Sequence, residues 1–239
     1  KEKLEKNVTT AIRMLDNVID INYYAVPQAE NSNFKHRPIG MGIMGFQDAL
    51  YIKKIPYASE AAVDFADESM ELVSYMAINA SSDLAKERGS YSSYEGSLWS
   101  QGILPLDSIE ILEQQRGNQY IEVDKTTRLD WEALREKVKT QGMRNSNTMA
   151  IAPTAPIANI TGLTQSIEPT YSNLFVKSNL SGEFTVINMH LVDALKEIDM
   201  WDEVMVYDLK NLNGSLESIA RVPEDIKKLF ATSFEVEPK

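Results

Sequence analysis

The residues best placed to do chemistry in this chain surround Met149-Ala-Ile-Ala-Pro-Thr-Ala-Pro-Ile157. Met149 to Ala152 is a short apolar run with the pattern of a buried strand, and Pro153-Thr-Ala-Pro156 breaks it. A turn of helix is expected over Ile157 to Gly162, with Pro156 at its first position, where the missing amide is one the helix would not use. A loop that leaves a strand and opens a helix presents free backbone amides and the positive end of aligned peptide dipoles, and both favour an anion. Phosphate is the natural ligand for such a loop. Thr154 adds a hydroxyl donor, while Pro156 subtracts an amide. On the residues alone, an ordinary strand-to-helix turn accounts for the same pattern.

Other candidates carry less. Gly40-Met-Gly-Ile-Met-Gly45 matches the spacing of a dinucleotide-binding turn, but no hydrophobic strand precedes it and no second nucleotide-binding half accompanies it. Phe46 and Gln47 stand where a Walker loop needs Lys and Ser or Thr. Close backbone packing at a strand or turn is the simpler account of these glycines. Glu168, in Ser166-Ile-Glu-Pro169, offers a carboxylate that a solvated loop explains equally well. Tyr23-Tyr24 and Tyr91 with Tyr94 could suggest stacking or radical transfer, but amphipathic packing at a rim is the simpler account. His36 and His190 are the two imidazoles and are expected to be structural or exposed. Asp64, Asp67, Glu68 and Glu71 read as the solvated face of one long helix.

The chain has 239 residues and no cysteine, which excludes disulfides, thiolate metal sites and thiol chemistry carried by this segment. No histidine stands in a metal-binding or triad arrangement. With 35 acidic against 24 basic residues the net charge is −11, so a general nucleic-acid surface is not expected. No apolar run reaches the roughly 18 residues of a membrane span, and no leader follows the Lys1-Glu2-Lys3 start. A cytoplasmic setting is expected. The missing initiating Met and the start within a helical pattern suggest a fragment or a processed chain.

The elements that would position the loop follow from periodicity. Leu4, Val8, Ile12, Leu15 and Ile19 predict an amphipathic helix with Pro27 as its downstream stop, and residues 31–38 are polar. Helices are predicted over Phe46–Lys53, from a Ser59 cap to Arg88, around Leu106–Gln115, and from an Asp130 cap to Gly142. Extended segments are expected at Tyr171–Val176 and Gly182–Ile187. Closing helices are expected at Leu191–Lys196, Val204–Leu209 and Pro223–Phe230. The pattern is one helix-rich α/β unit over residues 1–239.

Taken together, the sequence resembles the large, catalytic subunit of ribonucleotide reductase. The resemblance rests on Arg144-Asn-Ser-Asn-Thr-Met-Ala-Ile-Ala-Pro-Thr-Ala-Pro-Ile-Ala-Asn-Ile-Thr-Gly162 and Ile167-Glu-Pro-Thr170. Four further blocks fit in the same order: Asn7 to Asp16, Arg37 to Gly45, Gly102 to Asp107, and Lys177 to Phe184. The resemblance implies a helix-rich portion of a ten-stranded α/β barrel that reduces ribonucleotides to deoxyribonucleotides by radical chemistry. It also implies that Pro153, Thr154, Ala155, Pro156 and Ile157 hold the substrate's phosphates through amides and a hydroxyl, and that Gly40 to Gly45 is barrel packing.

Two departures qualify what the resemblance implies. The family's radical cysteine and its two reducing cysteines are not in this segment, so catalysis would need the remaining segment of the catalytic subunit. Pro156 stands where the family usually has a small hydroxyl residue. No cofactor is expected in this chain. The family's radical source, a metal-containing small subunit or adenosylcobalamin, and its thioredoxin-type reductant would act elsewhere, and the blocks look more like the two-subunit kind. A degenerate homologue serving as a binding or scaffolding module is the rival reading.

Overall fold

The computed structural model describes residues 1–121 and 123–237. In chain order the helices are α1 (Glu2–Ile21), α2 (Pro27–His36), α3 (Phe46–Lys53), α4 (Glu60–Arg88), α5 (Ser108–Arg116) and α6 (Trp131–Gln141). They continue with α7 (Ala155–Thr161), α8 (Met189–Glu197), α9 (Glu203–Asn211) and α10 (Glu224–Leu229), and strands β1 (Leu174–Asn179) and β2 (Gly182–Ile187) lie between α7 and α8. These residues group into two compact units. One joins Lys1–Gly42 to Asp67–Ile151, and the other joins Ile43–Ala66 to the chain from Ala152 onward.

In the first unit, α1 turns Val8, Ile12 and Ile19 inward at helical spacing, against Val73, Met76, Ala77, Ala80 and Leu84 of α4. Ile39 joins the same cluster. A second cluster gathers Ile78, Tyr91, Tyr94, Leu104, Trp131, Leu134, Val138 and Met143. The predicted cap at Asp130 is in place, its Oδ1 accepting from the Ala133 amide at 2.9 Å, as is the one at Ser59 in the second unit, whose Oγ accepts from the Ala62 amide at 3.2 Å. Gly142 closes α6 at φ 83°, a conformation side chains rarely tolerate. Tyr94 is buried with its hydroxyl donating to the Val138 carbonyl at 2.8 Å, and burial pushes its phenol pKa up. Packing is the role this places on Tyr91 and Tyr94.

Four expectations are corrected here. Pro27 does not stop α1, which ends at Ile21. It opens α2, because a proline fits the first turn of a helix better than any later position. The polar composition of residues 31–36 hid a helix with no buried face. Met149 to Ala152 is not a buried strand: Met149 makes a single parallel bridge to Met41, and Ile151 is 75% exposed. One bridged residue cannot propagate a parallel ladder, which needs neighbours to satisfy its amides. Glu71, expected on a solvated face, instead takes Trp131 Nε1 at 3.0 Å and the Arg128 amide at 2.8 Å. Burial raises its pKa, but those hydrogen bonds prevail and hold it below the ordinary value.

The glycine segment makes the close backbone packing expected of it. The Ile39 and Met41 amides donate to the Asn147 and Thr148 carbonyls at 3.2 and 2.9 Å. A Cβ on Gly40 would lie 2.7 Å from Ala150 Cβ. Gly40→Ala is therefore expected to lower stability by about 1–3 kcal/mol through overpacking, measured as a drop in the urea midpoint.

A charge cluster ties the same unit together. Asp16 is fully buried, on the inward face of α1, where it accepts from Arg37 Nε at 2.8 Å, Arg88 Nη1 at 3.1 Å, Arg144 Nε at 3.3 Å and Asn145 Nδ2 at 3.1 Å. Asp20 supplies a second carboxylate to Arg37 at 2.8 Å. Elsewhere, Arg135 donates to Asp107 at 2.6 Å and holds its carboxyl below the usual range, with the Leu104 amide helping and burial opposing. A carboxylate with a depressed folded pKa contributes stability above its unfolded pKa and loses it as pH falls through the folded one. The stability gap between wild type and Asp107→Asn is thus expected to be full at pH 7 and to narrow below about pH 4, as read by urea titrations across that range.

The second unit has its core on the closing helices. Leu191, Leu195, Met205, Leu209, Leu216, Ile219, Val222, Leu229 and Phe230 pack around Tyr51 of α3. Asn188 caps α8 through the His190 amide at 3.1 Å, and Asp202 caps α9 through the Met205 amide at 2.7 Å. β1 and β2 form an antiparallel hairpin with Leu174 opposite Ile187 and Val176 opposite Thr185.

Candidate functional site

The expected loop lies in the second unit. Thr154 sits at φ 36°, in the left-handed region, and precedes α7. Pro156 takes the second position of that helix rather than the first, since α7 opens at Ala155. The Ala158 amide makes the first helical bond, to the Thr154 carbonyl at 2.9 Å. Among the described residues no acceptor is found for the amides of Ala155 and Ile157. Pro153, Pro156 and Ile157 are exposed, and Thr154 and Ala155 half-buried.

The Thr154 side chain does not cap α7. Its Oγ1 accepts from the Ser166 amide at 2.8 Å, which leaves the hydroxyl proton free to be given to another group. The loop therefore offers two amides and one oriented hydroxyl. Pro156 removes the donor that would lie between those amides.

A cavity of about 660 Å³ opens beside the far end of α7. Its lining includes Asp48, Thr164, Glu168, Tyr171, Lys177 and His190, while residues 153–157 lie outside it. Glu168 is exposed at its edge. Asp48 Oδ2 accepts from the Thr164 amide at 2.7 Å and from its hydroxyl at 2.9 Å, and Asp48 Oδ1 lies 3.3 Å from His190 Nε2. Tyr51, whose ring centroid is 5.2 Å from that of His190, donates its hydroxyl to Thr170 Oγ1 at 2.7 Å. Burial pushes the Tyr51 phenol pKa up. Sequence reasoning left Asp48 out and set His190 aside. The available signal was Asp48 in the first turn of α3, where a carboxylate is favoured by the helix dipole. His36, in the first unit, meets Ser93 Oγ at 2.6 Å. Among the described residues no three metal-ligating side chains gather, and no helix is long and apolar enough to cross a membrane.

Fold and loop together define a helix-rich α/β chain with free main-chain donors where α7 begins. The chain belongs to the ribonucleotide reductase barrel-domain family: the model described as "Ribonucleotide reductase, barrel domain" matches residues 1–239 without a break. It is 57% identical over 239 residues to the ribonucleoside-diphosphate reductase subunit alpha of Chlamydia muridarum, covering all of this chain and 23% of that protein. It is 38% identical over 238 residues to the ribonucleoside-diphosphate reductase large chain of Schizosaccharomyces pombe, and 39% identical over 238 residues to the large subunit of Danio rerio. Each of those matches covers all of this chain and 28% of the relative. The chain thus spans about a quarter of the length of the curated relatives it matches.

Proposed function

We propose that this chain forms the substrate-phosphate-binding part of a ribonucleotide reductase large subunit, an enzyme that converts ribonucleoside diphosphates to deoxyribonucleotides. The observation that carries the reading is the loop itself. Ala155 and Ile157 amides without an acceptor and the free proton of the Thr154 hydroxyl lie together at one helix start. Each would make a charge-assisted hydrogen bond to phosphate, worth about 1.5–3 kcal/mol. Residues 1–239 contain no cysteine, so the thiyl and reducing thiols would come from the remaining segment of the catalytic subunit. The radical would come from a small subunit, and a cytoplasmic setting goes with this reading.

The test is complementation. Mixed with a cysteine-bearing N-terminal segment of a reductase, a small subunit and a dithiol reductant, the chain should restore reduction of a ribonucleoside diphosphate. Stable assembly and nucleotide binding without any reduction would instead favour a binding module, the role that the donor lost at Pro156 would permit.

A further inference from the structure

The phosphate loop does not orient its own hydroxyl, and the residues that do so form a continuous chain of contacts within the second unit. We propose that Asp48 is a positioning residue for phosphate binding: it clamps residues 164–166, whose Ser166 amide in turn aims the Thr154 hydroxyl. This inference rests on the phosphate reading of residues 153–157 and assigns that site a support outside the loop.

The clamp has five contacts at the start of α3, one of them the Asp48 amide donating to Thr164 Oγ1 at 3.4 Å. Asp48 Oδ2 takes both the amide and the hydroxyl of Thr164, at 2.7 and 2.9 Å. The Gly45 amide donates to the Thr164 carbonyl at 2.9 Å, and the Phe46 amide to the Ser166 carbonyl at 3.4 Å. Ser166 is 2% exposed and held at φ 44°, a strained conformation for a residue with a Cβ. Such a residue keeps its place only where its surroundings over-determine it. Its amide lies 2.8 Å from Thr154 Oγ1. A hydroxyl rotates freely about its Cβ–O bond until an incoming donor occupies one lone pair. The Ser166 amide is that donor, so the direction in which Thr154 gives its proton depends on where Asp48 holds Thr164. His190 backs the clamp from α8, with Nε2 at 3.3 Å from the second Asp48 oxygen. The ring contact with Tyr51 keeps that imidazole in place.

A kinetic double-mutant cycle in a complete reductase large subunit carrying this segment tests the relay. The variants are Asp48→Asn, Thr154→Val and the pair, read as KM for a ribonucleoside diphosphate and as kcat. Thr154→Val should raise KM by roughly tenfold or more, the loss of one hydrogen bond to a charged group. Asp48→Asn should raise KM by several-fold, with the loss falling on KM rather than kcat, and should add little in the Thr154→Val background, because the two act through one hydroxyl. Thr164→Val, which removes the two clamp contacts of the Thr164 hydroxyl and leaves the Asp48 carboxylate on the Thr164 amide, should give a smaller effect with the same coupling. It serves as the second variant if Asp48→Asn does not fold. Unchanged KM in Asp48→Asn, or additive losses in the pair, would overturn the relay while leaving the loop reading intact. Unchanged KM in Thr154→Val would overturn the phosphate reading itself, and the relay with it.

Discussion

Asp16→Ala should destabilise the chain by about 3–5 kcal/mol, the usual cost of removing one partner from a buried ionic cluster. The substitution removes a carboxylate with no solvent exposure on which three guanidinium groups and one amide converge. Arg37 is itself only 4% exposed. Burial works against its charge, yet the hydrogen bonds it donates to Asp20 and Asp16 hold its pKa above the ordinary value. With Asp16 gone, Arg37 keeps Asp20, but Arg88 and Arg144 lose a shared counter-charge and repel one another in a region of low dielectric. The loss should persist in high salt, because ions screen buried pairs weakly. Urea unfolding at low and at 0.5 M salt measures it. A loss below about 1 kcal/mol would mean the cluster behaves as a surface network.

Thr154→Val should weaken binding of a ribonucleoside diphosphate by about 10–100-fold, the equivalent of 1.5–3 kcal/mol for one hydrogen bond to a charged oxygen. Valine keeps the shape and the branching at Cβ, so the left-handed backbone at residue 154 meets the same sterics. The Ser166 amide loses its acceptor as well, and the 164–166 segment loses one of its anchors. Thr154→Ser restores the hydroxyl and should recover most of the affinity. Calorimetric titration measures both, and equal affinity of Thr154→Val and wild type would remove the hydroxyl from the site.

The sequence made some elements readable and hid others for physical reasons. The limits of α3 and α4 follow from periodicity and caps, and Asp130 and Gly142 bracket α6 as their chemistry demands. The α2 helix was illegible because it buries no residue, so no apolar stripe marks it. The Met149–Ala152 run reads as a strand by composition alone, yet pairing depends on what lies beside it, and one bridge to Met41 is present. Asp16 stood at a core-facing position between Ile12 and Ile19, an anomaly in an apolar stripe whose partners lie 21 to 129 positions away. The loop from Pro153 to Ile157 was legible as a break between two patterns. Its supports, Asp48, Thr164 and Ser166, were not, since no local spacing links residue 48 to residue 164.

The most direct test of the account is a titration of the ¹⁵N-labelled 239-residue chain with a ribonucleoside diphosphate, followed by amide chemical shifts. The amides of Ala155 and Ile157 should move first and furthest, with Ser166 moving alongside as the Thr154 hydroxyl engages. Shifts confined to Asn159, Glu168 and Lys177 around the neighbouring cavity, with Ala155 and Ile157 unmoved, would contradict it.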